Sequence, residues 1–569
     1  MRAEPERRSH GCRAARIAAF LAALAVAILA GKAAAARQVV EAEHGMVVTS
    51  QHLASAVGAG ILAAGGNAID AAVAVGYALA VVEPCCGNIG GGGFMTVHLA
   101  DGRETFINFR ETAPRAATAG MYLDRAGKPI PGASRDGWRA IGVPGTVMGL
   151  DRALREYGSL PRAAVMAPAI ALARDGFVLS REDAALLDAK AGRFAQDPAA
   201  AKIFLRPEGG HWQAGDRLVQ KDLAGTLAAI AQNGPDAFYR GRIPAAVGRA
   251  SRADGGILTA QDFANYTATE GPPLSCSYRG YTIASAPPPS SGGATLCEIL
   301  DILEGYDMKA LGSRSPRSVA LMVAAMGRGY ADRNRDLGDP DFVANPLDRL
   351  LSKGYAAGAR AAIAAGGAAP AAAPAAPHEQ AETTSFSVVD GEGNAVATTY
   401  TINGYFGAAV IAPGTLNNEM DDFAVKPGAP NLYGLVQGEA NAIAPGKRPL
   451  SSMAPSLVEK NGRVFLVLGS PGGARIITIV LETIMNVIDY GMAPQQAVDA
   501  PRLHFQGLPE KVFYEHSGLS PDTVATLEHI GYKLVAQPPW GATELIEILP
   551  GRLWGASDSR RPDGAAVGY

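Results

Sequence analysis

An abrupt change of composition in the last third of the chain constrains its fold more than any other feature. Positions 361–377 are almost pure Ala, Gly and Pro, which is typical of a linker. The stretch TTSFSVVD, which begins at Thr383, reads as a β-strand that ends at the turn residues Asp390 and Gly391. The chain therefore passes from a segment that does not pack directly into one that resembles a protein core.

Composition sets the broad class of the protein. The 569 residues are 48% hydrophobic and 18% charged, which is typical of a globular protein with a large core or more than one domain. The net charge of -3 predicts no strongly basic surface. Nucleic acid is therefore not an expected partner.

The N-terminal 36 residues have the layout of a secretory signal peptide. An Arg-rich stretch precedes the apolar run IAAFLAALAVAILA, which at 14 residues is short for a membrane span, and small residues follow it. We expect cleavage near Ala35 or Ala36 and a secreted or periplasmic protein. An uncleaved membrane anchor is the alternative interpretation.

The cysteines and histidines predict no metal site. The four cysteines beyond the signal segment are Cys85, Cys86, Cys276 and Cys297, and they contain no C-x-x-C pattern. Adjacent Cys85 and Cys86 are not expected to bridge without strain, whereas Cys276 and Cys297 are a possible pair that the sequence does not decide. The nine histidines are scattered and include no H-E-x-x-H motif.

Secondary-structure patterns differ on the two sides of the linker. Residues 55–84 carry small and apolar residues at helical spacing, which predicts two packed helices separated at Gly65–Asn67. The following GNIGGGGFMTVHL places glycines before a strand, the reverse of a nucleotide-binding loop, so we expect glycines packed tightly beside a sheet. Residues 140–350 look mostly helical. Beyond the linker, strands and helices alternate in blocks, which indicates sheets layered with helices.

Thr383 at the junction suggests a nucleophile. A Thr hydroxyl is weakly nucleophilic and needs a nearby base. The α-amino group of the same residue, with a pKa of about 7.7–8.0, can serve as that base if Thr383 is an N-terminus. Cutting the Glu382–Thr383 bond would create this N-terminus. The alternative is that Thr383 and Thr384 simply open an ordinary strand.

Four further segments offer groups that suit acyl transfer. GSPGGAR offers consecutive backbone N–H groups at Gly472 and Gly473 for an oxyanion, and LNNEMDDFA clusters Asn, Glu and Asp. RPLSSMAP places Ser451 and Ser452 in what looks like an exposed turn, and FINFRETAP places Arg110 just after a strand. Each segment alone has an ordinary structural explanation.

Together these segments resemble the γ-glutamyltranspeptidase (glutathione hydrolase) family, within the N-terminal-nucleophile hydrolases. The resemblance runs over nearly the whole chain beyond the signal segment and is carried by these ordered blocks: GNIGGGGF, FRETAP, PPPSSGG, YADRNRDLGDPDF, TTSFSVVDGEGNAVATTYTIN, LNNEMDDFAVKPGAPNLYGLV, KRPLSSMAPS and GSPGGARIIT. This resemblance implies a four-layer αββα sandwich of the α+β class.

The resemblance also implies the catalytic groups. Thr383 is expected to be the nucleophile and the first residue of a small subunit after cleavage of the Glu382–Thr383 bond. Thr401 is expected to hydrogen-bond Thr383 and support its reactivity. Gly472 and Gly473 are expected to form the oxyanion hole.

The substrate-binding groups are implied in the same way. A γ-glutamyl head group carries a carboxylate, which prefers a guanidinium fork, and an ammonium, which prefers acidic partners. Arg110, Ser451 and Ser452 are expected to hold the α-carboxylate. The α-ammonium is expected to meet a set of acceptor side chains: Asn403, Glu419 and Asp422. KPGAPNLYGLVQG resembles a lid loop, with Tyr433 as its gate.

The resemblance therefore implies one precursor cut into two subunits that form a heterodimer. After the signal peptide at 1–36, we expect a large subunit at 37–382, which ends in the linker 361–382, and a small catalytic subunit at 383–569. The expected substrates are glutathione and other γ-glutamyl compounds, with water or an amino acid or peptide as acceptor and no cofactor. The alternatives are a cephalosporin (glutaryl) acylase of the same superfamily, an inactive secreted binding protein and a structural envelope protein.

Overall fold

The computed structural model describes residues 37–365, 381–412 and 414–569, and within 381–412 it describes the side chains from Thr383 onward. Residues Val39–Tyr569 form one compact unit. In the described ranges, no helix combines the length and apolar character needed to cross a membrane. The predicted signal peptide lies outside the described residues.

The described residues form strands that fall into two large sheets and two small ones. In chain order the strands are β1 Val40–Ala42, β2 Met46–Thr49, β3 Gly92–His98, β4 Glu104–Asn108, β5 Phe177–Val178, β6 Arg217–Leu218, β7 Thr269–Gly271, β8 Leu274–Tyr278, β9 Tyr281–Ser285, β10 Ala381–Val389, β11 Ala395–Gly404, β12 Ser456–Lys460, β13 Arg463–Gly469, β14 Leu503–His504, β15 Val512–Glu515, β16 Leu534–Gln537, β17 Glu544–Leu549, β18 Arg552–Ser557 and β19 Ala565–Gly568.

The two large sheets have seven strands each. Their strand orders are β1-β18-β17-β13-β12-β9-β8 and β19-β2-β10-β11-β3-β4-β7. Apolar side chains from both sheets, among them Val48, Ala397, Leu457 and Val467, pack together between them. Both sheets contain strands from before and after residue 383, so the segments 37–382 and 383–569 are interleaved in one fold.

Helices cover the outer face of each large sheet. The described helices are His52–Ala63, Ala68–Val82, Thr146–Tyr157, Arg162–Asp175, Arg181–Phe194, Pro198–Phe204, Lys221–Asn233, Asp236–Tyr239, Arg242–Ala253, Ala260–Asn265, Gly292–Glu304, Met308–Leu311, Pro316–Asp336, Leu347–Leu350, Lys353–Ala364, Ile476–Ile488, Pro494–Asp499 and Pro521–His529. Ala68–Val82 packs on β10 and β11, whereas Gly292–Glu304 and Ile476–Ile488 pack on the other sheet. The predicted four-layer αββα architecture is confirmed.

Of the local predictions, one is confirmed by the structure and two hold only in part. The helix pair at His52–Ala63 and Ala68–Val82 is confirmed, but residues 140–350 also contain strands, including the β8–β9 hairpin. The predicted linker 361–382 overlaps regular structure at both ends, since a helix runs to Ala364 and β10 begins at Ala381.

The cysteines form two disulfides. Cys276 and Cys297 are joined, as the sequence allowed. Cys85 and Cys86 are also joined to each other, against the expectation for adjacent residues. Their bridge lies in the turn that follows Ala68–Val82.

The glycine run before β3 packs as predicted. A Cβ at Gly91 would lie 2.0 Å from the carbonyl oxygen of Thr401, and one at Gly93 would lie 2.4 Å from the Cβ of Tyr400. Only glycines let β3 approach β11 this closely. The run therefore fixes the position of Thr401.

Candidate active site

Thr383 lies near the start of β10, an inner strand of its sheet. It is 3% exposed and pairs with Thr401 on β11. The register of this pairing shifts between Ala381 and Thr383, so the ladder is irregular at the predicted cleavage bond. The Thr383 hydroxyl donates to Thr401 Oγ1 at 3.4 Å, and Thr401 Oγ1 accepts from the backbone N–H of Asn403 at 2.8 Å.

The neighbouring Thr384 points to the opposite side of the strand and is held more tightly. Its hydroxyl donates to Glu83 at 2.7 Å and lies 2.9 Å from the Ser50 hydroxyl. Successive residues of a strand face opposite sides, so only Thr383 reaches the pocket described next. This alternation separates the predicted nucleophile from its neighbour.

A pocket with about 300 Å³ of empty space lies in front of Thr383. Its lining brings together nearly all the predicted site residues: Arg110, Thr383, Thr401, Asn403, Glu419, Asp422, Tyr433, Ser451, Ser452 and Gly473. Gly472 directly precedes Gly473, and the side chain of Glu382 lies outside the described residues. Segments far apart in the sequence therefore converge on one site.

Arg110 forms the centre of a buried ion cluster. It follows β4, as predicted, and is 0% exposed. Its guanidinium bonds Glu419 through Nη1, Asp422 through Nη2 at 2.5 Å and the Pro449 carbonyl through Nε at 3.1 Å. Glu111 lies 3.5 Å from Nη1. Arg110 thus pairs with two of the three predicted ammonium partners, Glu419 and Asp422.

Burial and charge shift the pKa values in this cluster. Burial raises the pKa of Glu419 well above its ordinary value, and repulsion from Glu111 and Asp422 adds to the rise, while Arg110 opposes it. Burial likewise raises the pKa of Glu111 to about 7, against the pull of Arg110. Glu111 and Glu419 therefore hold their protons more readily than exposed acids do.

Ser451 and Ser452 are buried, which corrects the expectation of an exposed turn. They are 2% and 8% exposed. The Ser451 backbone donates to the Pro289 carbonyl at 2.8 Å, and the Ser291 hydroxyl donates to the Ser451 carbonyl at 2.6 Å. A loop from the other side of the linker thus holds the backbone of Ser451 beside the pocket.

Gly472 and Gly473 connect β13 to the helix Ile476–Ile488. Their φ values of 143° and 56° lie in the region that favours glycine. A Cβ at Gly472 would lie 2.9 Å from Ile479 Cδ1. This tight turn presents consecutive backbone N–H groups at the start of a helix, where negative charge is favoured.

Residues 426–438, the predicted lid, are tied to the pocket. The Tyr433 hydroxyl donates to Asn403 Oδ1, and the Leu432 backbone donates to Asp421 at 2.8 Å. Gln506 Nε2 donates to the Tyr433 carbonyl at 3.0 Å. Tyr433 is 8% exposed, so this loop is closed over the site in the structure.

Comparison with known proteins shows to which family this chain belongs. Residues 54–568 match the family described as Gamma-glutamyltranspeptidase. The chain belongs to the γ-glutamyltranspeptidase family. A glutathione hydrolase proenzyme of Pseudomonas sp. (strain A14) is 52% identical, covering 94% of this chain and 96% of the relative. One from Escherichia coli (strain K12) is 47% identical, covering 93% of each.

Acylases are similar to this family member as well. An acylase ACY 1 proenzyme of Pseudomonas sp. (strain SE83) is 43% identical, covering 92% of this chain and 93% of the relative. The solved cephalosporin acylase from Bacillus halodurans superposes with a TM-score of 0.82 at 28% identity, covering 94% of this chain and 97% of that chain. Helicobacter pylori gamma-glutamyltranspeptidase superposes with a TM-score of 0.54 at 44% identity, covering 55% of this chain and 89% of that chain. The predicted N-terminal-nucleophile hydrolase fold is confirmed.

Sequence reasoning assigned no role to Arg333, which also lines the pocket. It lies on the helix Pro316–Asp336, within the block YADRNRDLGDPDF, and is 1% exposed. Its helix reads as amphipathic, and an Arg near the end of such a helix usually faces solvent. The sequence signal that could have found Arg333 was its position on the apolar side of this helix. Three apolar residues complete the lining: Leu435, Met453 and Ile476.

Proposed function

We propose that this γ-glutamyltranspeptidase family member is a self-processing γ-glutamyltransferase and glutathione hydrolase with Thr383 as its nucleophile. The observation that carries the proposal is the juxtaposition in one pocket of the Thr383 hydroxyl and a buried cluster of Arg110, Glu419 and Asp422. The hydroxyl suits acyl transfer, and the cluster suits a head group that carries both charges.

Maturation is the first step of the proposal. The Thr383 hydroxyl oxygen attacks the Glu382 carbonyl carbon, the peptide C–N bond breaks, and the hydroxyl proton passes to the freed nitrogen. Water then hydrolyses the resulting ester, which leaves Thr383 with a free α-amino group. The register shift between Ala381 and Thr383 supports this site, since an irregular ladder frees the bond from regular pairing.

Maturation would yield a heterodimer of residues 37–382 and 383–569. The two segments share both large sheets, so they would stay associated after the cut. The names of the similar glutathione hydrolase proenzymes agree with such processing.

Catalysis follows from the freed N-terminus. Thr383 Oγ attacks the γ-carbonyl of the donor, its proton passes through the α-amino group to the leaving amine, and a γ-glutamyl ester forms. Water or an acceptor amine then attacks the ester and restores the hydroxyl. Gly472 and Gly473 would stabilise the oxyanion in both steps, and Thr401 would hold the Thr383 hydroxyl in place.

Recognition of the donor would use the charged end of the pocket. The α-carboxylate would bind Arg110, Ser451 and Ser452. The α-ammonium would bind the acceptor set Asn403, Glu419 and Asp422. The α-carboxylate of the donor can replace an acid as the partner of Arg110, and the α-ammonium can replace Arg110 as the partner of that acid. No charge is then left buried and unpaired.

The site of action would lie outside the cytoplasm. The Arg-rich start, short apolar run and small residues within positions 1–36 support export to the periplasm or the medium. Detection of the mature protein in a periplasmic extract, with an N-terminus near residue 37, would test this.

The main alternative function is a glutaryl acylase. The similarity to the acylase ACY 1 proenzyme and to the Bacillus halodurans cephalosporin acylase favours it. A glutaryl group lacks the α-ammonium, however, and would leave the buried carboxyl groups of Glu419 and Asp422 without a cationic ligand. The acidic cluster therefore favours the γ-glutamyl donor.

The test compares γ-glutamyl-p-nitroanilide with glutaryl-p-nitroanilide on the processed enzyme at neutral pH. Loss of one buried charge partner costs about 3–5 kcal/mol, reduced here by solvent access, so kcat/KM should favour the γ-glutamyl compound by about 30- to 1,000-fold. Equal or better turnover of the glutaryl compound would transfer the assignment to the acylases. No turnover of either compound by a properly cut enzyme would favour the inactive binding protein.

A further inference from the structure

The environment of Arg110 raises a difficulty for carboxylate binding. Its guanidinium already contacts Glu419 and Asp422, and Glu111 lies 3.5 Å away. An incoming carboxylate therefore meets one cation surrounded by three acids. Repulsion from the ionised members of this set weakens the attraction that Arg110 alone can offer.

Arg333 is a second buried guanidinium that lines the same pocket, and its surroundings are different. It donates through Nε to Ser291 Oγ at 2.9 Å and through Nη2 to Ser452 Oγ at 3.1 Å. Through Nη1 it donates to the side-chain oxygens of Asn334 at 2.8 Å and Gln437 at 3.2 Å. All four acceptors are neutral, and the Asp422 carboxylate, which bonds Arg110, acts on Arg333 only through longer-range attraction.

Arg333 has one more N–H donor than it has hydrogen bonds to the described residues. A guanidinium has five N–H donors, and these four bonds use four of them, which leaves one on Nη2 without a partner among the described residues. Burial lowers the pKa of Arg333 to about 10, so the side chain remains charged at neutral pH. A buried cation with a spare donor and neutral neighbours is well suited to bind an anion.

Ser452 extends this donor set toward the ligand. Its oxygen accepts from Arg333 Nη2, so its own O–H proton points away from that bond. Ser452 lines the pocket beside Ser451. Arg333 therefore both orients and polarises a hydroxyl that faces the expected substrate position.

We propose that Arg333 is a specificity-determining residue that supplies the net positive charge for the α-carboxylate of the donor and positions the Ser452 hydroxyl to bind it. The inference rests on the proposed γ-glutamyl function. It assigns different roles to the two arginines: Arg110 exchanges its acidic partners with the head group, whereas Arg333 hydrogen-bonds only neutral side chains among the described residues.

The test measures Arg333→Met with two donors that differ only in the α-carboxylate, γ-glutamyl-p-nitroanilide and 4-aminobutyryl-p-nitroanilide. We expect kcat/KM to fall by about 30- to 300-fold for the γ-glutamyl compound, mainly through KM, and by less than about threefold for the compound without the carboxylate. Arg333→Lys keeps the charge but loses the fork, so it should recover most of the γ-glutamyl activity.

The matched control is Arg335→Met on the same helix. Arg335 is 58% exposed at its side chain and pairs with Asp332 and Asp336, away from the pocket lining. It should change both activities by less than about twofold.

The outcomes separate this inference from the proposed function. Equal losses with both donors in Arg333→Met would reduce Arg333 to a structural role and overturn the inference. If Arg333→Met does not fold or is not cut, Arg333→Gln decides, because its amide can still hydrogen-bond the serines but carries no charge, and equal losses with both donors would again overturn the inference. A wild type that does not distinguish the two donors would instead contradict the proposed function itself.

Discussion

The pocket has a reactive end at Thr383, where the hydrogen bond is long, and a recognition end at Arg110, where the ion pairs are short. Thr383 Oγ lies 3.4 Å from Thr401 Oγ1, longer than the 2.7–2.8 Å typical of hydroxyl pairs. At the other end, Asp422 lies 2.5 Å from Arg110, and Glu419 bonds the same guanidinium. The difference fits the proposed roles, in which the Thr383 hydroxyl gains its base only after cleavage and the proposed head-group site is held in place by its own ion pairs.

The largest effect on kcat/KM should come from removing an acidic group at the recognition end of the pocket. Asp422→Asn removes an acidic partner for the donor ammonium, so kcat/KM for γ-glutamyl-p-nitroanilide should fall by about 30- to 1,000-fold. The turnover of glutaryl-p-nitroanilide should change little, and the variant should still cut itself, because maturation does not involve the substrate. Equal losses with both compounds, measured side by side, would remove Asp422 from ammonium recognition.

A smaller effect is expected at the reactive end. Thr401→Val keeps the shape of the side chain but removes the hydroxyl that accepts from Thr383 and from the Asn403 backbone. A lost hydrogen bond of about 1–2 kcal/mol predicts a fall in kcat of about 5- to 30-fold with little change in KM. A change confined to KM would show that Thr401 acts on binding and not on the nucleophile.

The raised pKa of Glu419 predicts how donor binding depends on pH. A carboxyl group must lose its proton to pair with an ammonium, and burial keeps Glu419 protonated to higher pH than usual. The KM for γ-glutamyl-p-nitroanilide should therefore fall as the pH rises through the titration of Glu419. Glu419→Gln should flatten this dependence, and identical pH profiles for the two proteins would contradict the assignment.

The smallest effect concerns the closed loop. Asn431–Leu435 is buried and bonded to Asp421 and Gln506, so deleting the loop would damage the pocket itself. Tyr433→Phe removes only the hydroxyl bond to Asn403 and should admit more water. With glycylglycine as acceptor, we expect the ratio of hydrolysis to transfer to rise about two- to fivefold. An unchanged ratio would argue against a gating role for the Tyr433 hydroxyl.

Local patterns predicted the elements of the fold. The helix pair His52–Ala63 and Ala68–Val82 follows from helical spacing, β10 follows from a β-rich run that ends at turn residues, and the glycine run before β3 packs as expected. The αββα layering and the identities of the site residues came from the resemblance of ordered motifs to a known family, because spacing alone does not say which segments meet.

Long-range packing could not be predicted. Ser451 and Ser452 looked exposed because the loop that buries them comes from residues 289–291, far away in the sequence. Arg333 was not assigned a role for a similar reason: its place on the apolar side of the helix indicates burial, but not which other segments form the pocket around it. The mutual pairing of Arg110 with Glu419 and Asp422 likewise depends on contacts that only the folded chain creates.

The central claim is that Thr383 becomes the N-terminus and the nucleophile. The most direct measurement is intact mass and N-terminal sequencing of the purified protein after incubation, with Thr383→Ala as its partner and Thr384→Ala as the control. The account predicts a wild-type fragment that begins with Thr383 and ends at Tyr569, cleavage in Thr384→Ala, and an uncut, inactive chain for Thr383→Ala. A fully active wild-type chain that remains uncut, or an N-terminus at any residue other than Thr383, would contradict it.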